Sequence, residues 1–105
     1  MSFVRACGTD DVQPGTALAV EVDGVSVAVV RDGEDWYAVY DECSHAAIAL
    51  SEGDVEGDQI ECWLHGSRFD LRTGKPTGLP ATEPVAIYPV KVEGGDVLVD
   101  VQAPY

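Results

Sequence analysis

Two short pairs of cysteine and histidine constrain this chain more than any other feature of its sequence. One residue separates Cys43 from His45, two separate Cys62 from His65, and 16 residues lie between the pairs. The four positions use both histidines and two of the three cysteines in the chain. Thiolate and imidazole groups are ligands for transition metals. Because residues 54–62 can form a hairpin that returns the second pair beside the first, we expect one shared metal centre.

The segments on both sides of this region have the pattern of β-strands. Runs rich in β-branched and aromatic residues alternate with tight-turn sequences such as Asp23-Gly24 and Gly94-Gly95, which predict hairpins. No amphipathic helix of three turns is visible anywhere. We therefore expect an all-β, antiparallel sandwich or barrel that presents the metal site on loops. The predicted strands are residues 17–23, 25–30, 36–40, 86–92 and 96–101, with Pro89 at a sheet edge or a bulge.

Composition limits the possible partners and compartment. The 105 residues fit a single domain, and 46% apolar residues are enough for a packed core. A formal charge of −13 disfavours binding to nucleic acid or to an anionic membrane surface. We expect no membrane span and no secretory signal after Met1. An odd number of cysteines suits a reducing compartment, and we expect a cytoplasmic protein.

Two metal sites are compatible with the four ligands. Two cysteines and two histidines can hold tetrahedral zinc, or a Rieske [2Fe–2S] cluster in which two histidines replace two cysteines on one iron. Zinc fingers usually place their cysteines together and their histidines together. Here each loop supplies one of each, which favours the binuclear cluster. Zinc, or an unrelated placement of these residues, remains open at this point.

The residues between and after the pairs strengthen the cluster interpretation, because this part of the chain resembles the Rieske signature. Through its C-terminal strands the chain resembles the small bacterial Rieske ferredoxins, which serve as electron carriers for multicomponent aromatic-ring dioxygenases. The resemblance covers nearly the whole chain. The segments that carry it are Cys43-Ser-His45, Leu50-Ser-Glu-Gly53, Ile60-Glu-Cys62-Trp-Leu-His65-Gly-Ser-Arg-Phe-Asp70, Thr73-Gly74-Lys75, Pro80 and residues 88–100.

The resemblance implies a ligand set and a fold. Cys43 and Cys62 would bind one iron, and His45 and His65 the other, with one [2Fe–2S] cluster as the cofactor. The fold would be the Rieske fold, an antiparallel base with a small cluster-binding subdomain inserted at about residues 41–83.

The surroundings of the cluster can also be predicted from the resemblance. Ser67 matches a serine that hydrogen-bonds cluster sulfur in high-potential relatives, but Phe69 stands where those proteins have tyrosine. The disulfide of those proteins is also missing. We therefore expect a midpoint potential of roughly −150 to 0 mV. Trp63 stands where proline is frequent and would pack or shield the cluster. Gly66, Gly74 and the turn at Pro80 would bring backbone close to it, although ordinary turn chemistry would also explain Gly74.

The count of histidines argues against a catalytic role for the chain alone. A terminal oxygenase also needs a mononuclear iron held by two histidines and a carboxylate, and the cluster would use both histidines. No glycine-rich nucleotide fingerprint is present. We expect a monomeric one-electron carrier between a flavin-dependent ferredoxin reductase and a terminal oxygenase or other acceptor. The alternatives are a housekeeping Rieske ferredoxin linked to iron–sulfur assembly, a structural zinc module, and a protein similar to the nitrite-reductase small subunit.

Two features lie outside the ligand loops. Cys7 is expected to be a buried free thiol. Acidic residues flank the first loop and fill the segment between the loops, whereas residues 71–82 contain none. This uneven charge would steer a basic face of a redox partner, or would simply keep the surface soluble.

Overall fold

The computed structural model describes residues 3–43, 48–62, 66–77 and 83–102. This part of the chain contains ten β-strands and two 3-10 turns, the latter at Thr9–Asp11 and Leu50–Glu52. Within it, no helix has the length and apolar composition needed to cross a membrane. The strands are β1 (Val4–Gly8), β2 (Thr16–Val22), β3 (Val25–Asp32), β4 (Asp35–Tyr40), β5 (Asp54–Glu56), β6 (Gln59–Glu61), β7 (Arg68–Asp70), β8 (Ile87–Tyr88), β9 (Val90–Glu93) and β10 (Asp96–Val99).

The strands form three antiparallel sheets. A terminal sheet has the order β1-β10-β9, a central sheet has the order β2-β3-β4-β8, and a small sheet has the order β5-β6-β7. The small sheet lies in the chain between β4 and β8, so it is inserted into the central sheet. The prediction of an all-β antiparallel fold is confirmed.

The predicted hairpins form because their turn residues tolerate positive φ. Asp23 and Gly24 have φ values of 50° and 79° and connect β2 to β3 with Val22 opposite Val25. Gly94 and Gly95 likewise connect β9 to β10. Two successive positive-φ residues give the turn twist that matches two antiparallel strands. These local turns set the register of the two hairpins that they close.

The central sheet is buried on both faces, and β3 shows this most clearly. Its residues 27–30 are all fully buried, but they alternate between two cores. Val27 and Val29 pack with residues of the terminal sheet, whereas Ala28 and Val30 pack with residues of the small sheet. Because successive side chains of a strand point to opposite faces, the three sheets form three layers with the central sheet in the middle.

The predicted single strand over residues 86–92 is wrong. Pro89 separates it into β8, which pairs with β4 in the central sheet, and β9, which pairs with β10 in the terminal sheet. Proline has no N–H to donate to a sheet ladder, so pairing stops there. Its carbonyl oxygen still accepts a hydrogen bond from the backbone N–H of Asp100 at 3.1 Å. The chain therefore changes sheets at this proline.

Candidate metal centre

The first predicted ligand loop, which contains Cys43, follows β4. The backbone N–H of Cys43 donates to the carbonyl oxygen of Ile48 at 2.8 Å, which closes the loop around residues 44–47. Cys43 is only 2% exposed. Residues 44–47, including His45, lie outside the described residues, so the placement of this predicted ligand stays a prediction.

A side-chain contact closes the same loop farther out. The two carboxylate oxygens of Asp41 accept hydrogen bonds from the backbone N–H and the hydroxyl of Ser51, each at 2.7 Å. Both groups are partly buried. We call this contact the Asp41–Ser51 clasp. It joins the residue after β4 to the 3-10 turn Leu50–Glu52 across the loop that carries Cys43.

The second predicted ligand loop, which contains Cys62, connects β6 to β7. Cys62 follows β6, and its backbone N–H donates to the carbonyl oxygen of Ser67 at 2.6 Å. The N–H of Gly66 donates back to the carbonyl oxygen of Cys62 at 3.0 Å, with Gly66 at a φ of 73°. A left-handed conformation favours glycine, so this tight closure explains the residue type at Gly66. Residues 63–65, including the predicted ligand His65, lie outside the described residues.

The two loops bring both cysteines into one apolar core. Cys62 is fully buried, and Cys43 nearly so, in the cluster that contains Leu50, Ile60 and Phe69. No disulfide joins any of the three cysteines, all of which the structure describes. Cys7 belongs to the other core, between the central and terminal sheets. The two loop thiols are therefore grouped together and separated from the third.

Two of the residues predicted to lie near the cluster, Ser67 and Phe69, are among the described residues. Ser67 and Phe69 are fully buried, and Phe69 shares the core of the two cysteines. No group of three or more histidine, cysteine or acidic side chains suited to a metal occurs among the described residues, which do not include the two histidines. The predicted site residues outside the described ranges are His45, Trp63, His65 and Pro80.

Gly74 has a structural role in the fold. Its φ is 77°, and a Cβ at this position would collide with the carbonyl oxygen of Val85. Its N–H donates to the carbonyl oxygen of Asp70 at 2.7 Å, and its own carbonyl oxygen accepts from the N–H of Val85 at 2.8 Å. Turn chemistry and close backbone packing therefore explain this glycine.

The structural roles of three residues near the loops were not predicted from the sequence. Asp41 and Ser51 form the clasp, and a Cβ on Gly53 would overlap the carbonyl oxygen of Glu61. A contact between residues ten positions apart leaves no periodic signal in a sequence. Only the segment Leu50-Ser-Glu-Gly53, noted for its resemblance, pointed to this part of the chain.

Charged side chains surround the small sheet. Arg68 lies 3.5 Å from Glu61 and 3.7 Å from Glu56, and Arg72 lies 2.9 Å from Asp58. A hydrogen bond with Tyr37, followed by the charge of Asp58, raises the pKa of Arg72 above its ordinary value. Exposed ion pairs of this kind contribute little to stability. They do neutralise part of the acidic surface beside the second loop.

Comparison with known proteins identifies the family. The profile of the Rieske [2Fe-2S] domain matches residues 2–89. The biphenyl dioxygenase ferredoxin subunit of Pseudomonas sp. (strain KKS102) is 45% identical over 101 residues, which cover 95% of this chain and 93% of that protein. The ferredoxin of carbazole 1,9a-dioxygenase from Nocardioides aromaticivorans IC177 superimposes with a TM-score of 0.88 at 46% identity, covering 94% of this chain and 97% of that one.

A further solved structure shows such a ferredoxin with its partner. The complex of reduced oxygenase and oxidized ferredoxin in carbazole 1,9a-dioxygenase contains a chain that is 41% identical to this one, with a TM-score of 0.85. The match covers 92% of this chain and 91% of that chain. The similarity therefore extends to a ferredoxin seen together with an oxygenase.

The chain belongs to the Rieske [2Fe-2S] domain family. Its cofactor is a Rieske-type [2Fe–2S] cluster, so the zinc alternative is not supported. The structure fits this cofactor, because two thiols from separate loops are buried together in one apolar core. Thiolates buried in such surroundings require a metal or another charge partner.

Proposed function

We propose that this protein is a one-electron carrier that delivers electrons to a terminal non-haem iron dioxygenase. The observation that carries the proposal is the burial of Cys43 and Cys62 in one core at the ends of two loops, in a chain that aligns over most of its length with dioxygenase ferredoxin subunits. When bound, the [2Fe–2S] cluster takes up and releases one electron. The protein holds the cluster and shields its cysteine side from water.

The proposed ligands are Cys43 and Cys62 for one iron and His45 and His65 for the other. Support for the cysteine pair comes from their shared core and from the loop closures described above. Each loop places its histidine two or three residues after its cysteine. The histidines would then lie on the opposite side of the cluster from the buried cysteines, where electrons can leave toward a partner.

The proposed surroundings of the cluster combine described and undescribed residues. Ser67 and Gly66 close the second loop, and Phe69 packs in the core of the cysteines. Trp63 is proposed to pack beside the cluster or shield it, and the turn at Pro80 to bring backbone close to it. Without a tyrosine hydroxyl at Phe69, fewer hydrogen bonds stabilise the more negative, reduced cluster. This environment supports a low potential for a Rieske protein.

The proposed domain is the whole chain, 1–105, with a cluster-binding subdomain at about 41–83. The small sheet and both ligand loops lie within this range, between β4 and β8 of the central sheet. The residues of the subdomain share a core with one face of the central sheet. The base therefore supports the subdomain over a continuous buried surface.

The chain is proposed to be an electron-transfer component that is not catalytic alone. Its two histidines are both assigned to the cluster, which leaves none for a mononuclear iron. The proposed electron donor is a flavin-dependent ferredoxin reductase, and the acceptor is a terminal oxygenase. A monomer in the cytoplasm, with neither nucleic acid nor membrane as a partner, is consistent with the acidic composition.

Reconstitution with purified partners tests this function. The reductase and terminal oxygenase of an aromatic-ring dioxygenase system are combined with reduced nicotinamide cofactor and substrate, with and without this protein. We expect turnover that depends on the protein and saturates with its concentration. Turnover that is unchanged when the protein is omitted would exclude the role for that pair of enzymes.

The ligand assignment has its own test. The purified protein should be brown-red and, when reduced, should give the EPR signal of a Rieske cluster. His45→Cys and His65→Ala should each abolish that signal while the far-ultraviolet circular dichroism stays unchanged. A normal Rieske signal in either variant would refute the assignment of that histidine.

A further inference from the structure

We propose that Asp41 is a positioning residue that holds the first ligand loop in the geometry required by the cluster. It acts through both oxygens of its carboxylate in the Asp41–Ser51 clasp. The inference rests on the proposed function, because the loop matters in this way only if it carries the ligands Cys43 and His45.

The two ligand loops are closed by different means. Strands flank the second loop on both sides, and Glu61 pairs directly with Arg68 where β6 meets β7. A sheet ladder therefore fixes both ends of that loop. The first loop follows β4, but a 3-10 turn at Leu50–Glu52 stands on its other side. In place of the strand pairing that flanks the second loop, the first loop has the Cys43–Ile48 backbone hydrogen bond and, farther out, the side-chain connection of the clasp.

The clasp connects the loop to the rigid part of the fold. The backbone N–H of Asp41 donates to the carbonyl oxygen of Ser26 at 3.0 Å, which attaches Asp41 to the residues of β3. On the other side, Ser51 follows Leu50, which is fully buried in the core of both loop cysteines. The carboxylate thus links the central sheet to the returning end of the loop.

Variants of the clasp can distinguish the effect of its hydrogen bonds from the effect of the negative charge on Asp41. Asparagine at position 41 can still accept from the N–H of Ser51 through Oδ1, while its Nδ2 donates to the serine hydroxyl, which can also accept. Asp41→Asn therefore keeps two hydrogen bonds and removes the negative charge. Asp41→Ala removes the two hydrogen bonds and the negative charge. Ser51→Ala keeps the charge and one hydrogen bond.

A matched control is available at the next residue. Glu42 is exposed, and its carboxylate makes no hydrogen bond or ion pair with the described residues. Glu42→Gln therefore removes one negative charge from the residue next to Cys43 in sequence and leaves the clasp intact. An effect of charge alone would appear in both Asp41→Asn and Glu42→Gln.

The experiment uses the cluster-loaded full chain and two readouts that do not depend on partner turnover. These are the rate of cluster bleaching in excess chelator and the EPR line shape of the reduced protein. For Asp41→Ala we expect bleaching roughly 10- to 100-fold faster, with broadened or shifted EPR lines. Ser51→Ala should fall between this variant and the wild type. Asp41→Asn and Glu42→Gln should stay close to the wild type.

The contrary outcomes are distinct. Wild-type bleaching and line shape in both Asp41→Ala and Ser51→Ala would overturn the proposal, as would Asp41→Asn behaving like Asp41→Ala. If Asp41→Ala does not fold, Ser51→Ala decides in the same way. A wild-type protein without the Rieske signal would overturn the proposed function itself, and the inference with it. A normal wild-type signal with unaffected variants would overturn the clasp alone.

Discussion

At the scale of single residues, glycines with the same backbone conformation have different surroundings. Gly74 and Gly57 both have positive φ, at 77° and 62°. Nothing lies within 4 Å of a Cβ built on Gly57, whereas a Cβ on Gly74 would meet backbone atoms of Val85. Backbone atoms cannot move aside as the end of a flexible side chain can. A substitution at Gly57 would therefore introduce backbone strain alone, whereas one at Gly74 would introduce backbone strain and steric overlap.

Substitution of these glycines should show that difference in stability. Gly57→Ala should lower the free energy of unfolding by about 1–2 kcal/mol, the cost of a left-handed non-glycine residue. Gly74→Ala should lower it by a further 1–3 kcal/mol or so because of the overlap with Val85. Chemical denaturation of both variants measures this. Equal losses would show that the structure around Gly74 relaxes freely.

The thiol of Cys7 should be unreactive in the native protein. Burial, and then the charge of Asp11, raises the pKa of Cys7 above the ordinary value, with Arg5 acting in the opposite direction. A higher pKa means less thiolate at any given pH below it, and thiolate is the reactive form. Alkylation at pH 7–8 should therefore require unfolding. Cys7→Ala is the control that identifies the alkylated thiol. It should leave the EPR signal unchanged, because Cys7 packs in the core between the central and terminal sheets, away from Cys43 and Cys62.

The potential of the cluster should reflect Phe69. We expect a midpoint of roughly −150 to 0 mV, because a phenyl ring cannot donate a hydrogen bond to cluster sulfur. Protein-film voltammetry or a dye-mediated titration measures it. A midpoint above about +150 mV would contradict this interpretation of Phe69 and of the missing disulfide.

At the scale of elements, β3 separates the two cores of the molecule. Val29 and Val30 are neighbours of the same type and are both fully buried. Val29 faces the terminal sheet, whereas Val30 faces the core that contains both loop cysteines. Substitutions at these two sites remove equal volumes from opposite sides of one strand.

Val29→Ala and Val30→Ala should therefore have similar effects on stability and different effects on the cluster. Each should lower the free energy of unfolding by roughly 1.5–3 kcal/mol, from lost burial and the cavity left behind. Only Val30→Ala should also speed loss of the cluster to a chelator. If both variants lost the cluster equally faster than the wild type, the two cores would be mechanically coupled through the sheet.

The elements that the sequence predicted well are those defined by neighbouring residues. The hairpins at Asp23-Gly24 and Gly94-Gly95 follow from turn chemistry and alternation alone. The short strand β7 was not predicted, because its three residues gain their conformation by pairing with β6. The change of sheet at Pro89 and the Asp41–Ser51 clasp depend on tertiary contacts, which the sequence pattern does not encode. The paired cysteines and histidines, by contrast, predicted a metal centre, and the resemblance of the segments around them predicted the Rieske cluster.

At the scale of the whole molecule, the net charge of −13 is unevenly distributed. Glu52 and Asp54 are exposed beside the first loop, whereas Glu34 and Asp35 are exposed at the opposite end of β4. Charges near a docking site accelerate association with an oppositely charged partner, and salt screens them over about 8–10 Å. The position of these acids thus matters more than their number.

Electron-transfer rates should fall as ionic strength rises, if the acidic surface steers a basic partner face. The double variant Glu52→Gln/Asp54→Asn should slow second-order transfer and weaken its salt dependence. The variant Glu34→Gln/Asp35→Asn removes the same charge and should change both much less. Stopped-flow measurements at several salt concentrations provide the comparison. Rates independent of salt would mean that the acidity serves solubility only.

The pairing of β1 with β10 has a consequence for the order of assembly during synthesis. Val4 lies opposite Val99, so β1 has no partner among the described strands until β10 has been synthesised. Every residue of both ligand loops is synthesised before β10. Because contacts this distant in sequence form slowly, closure of the terminal sheet is expected late. The loops would therefore be available for maturation while β1 is still an unpaired edge.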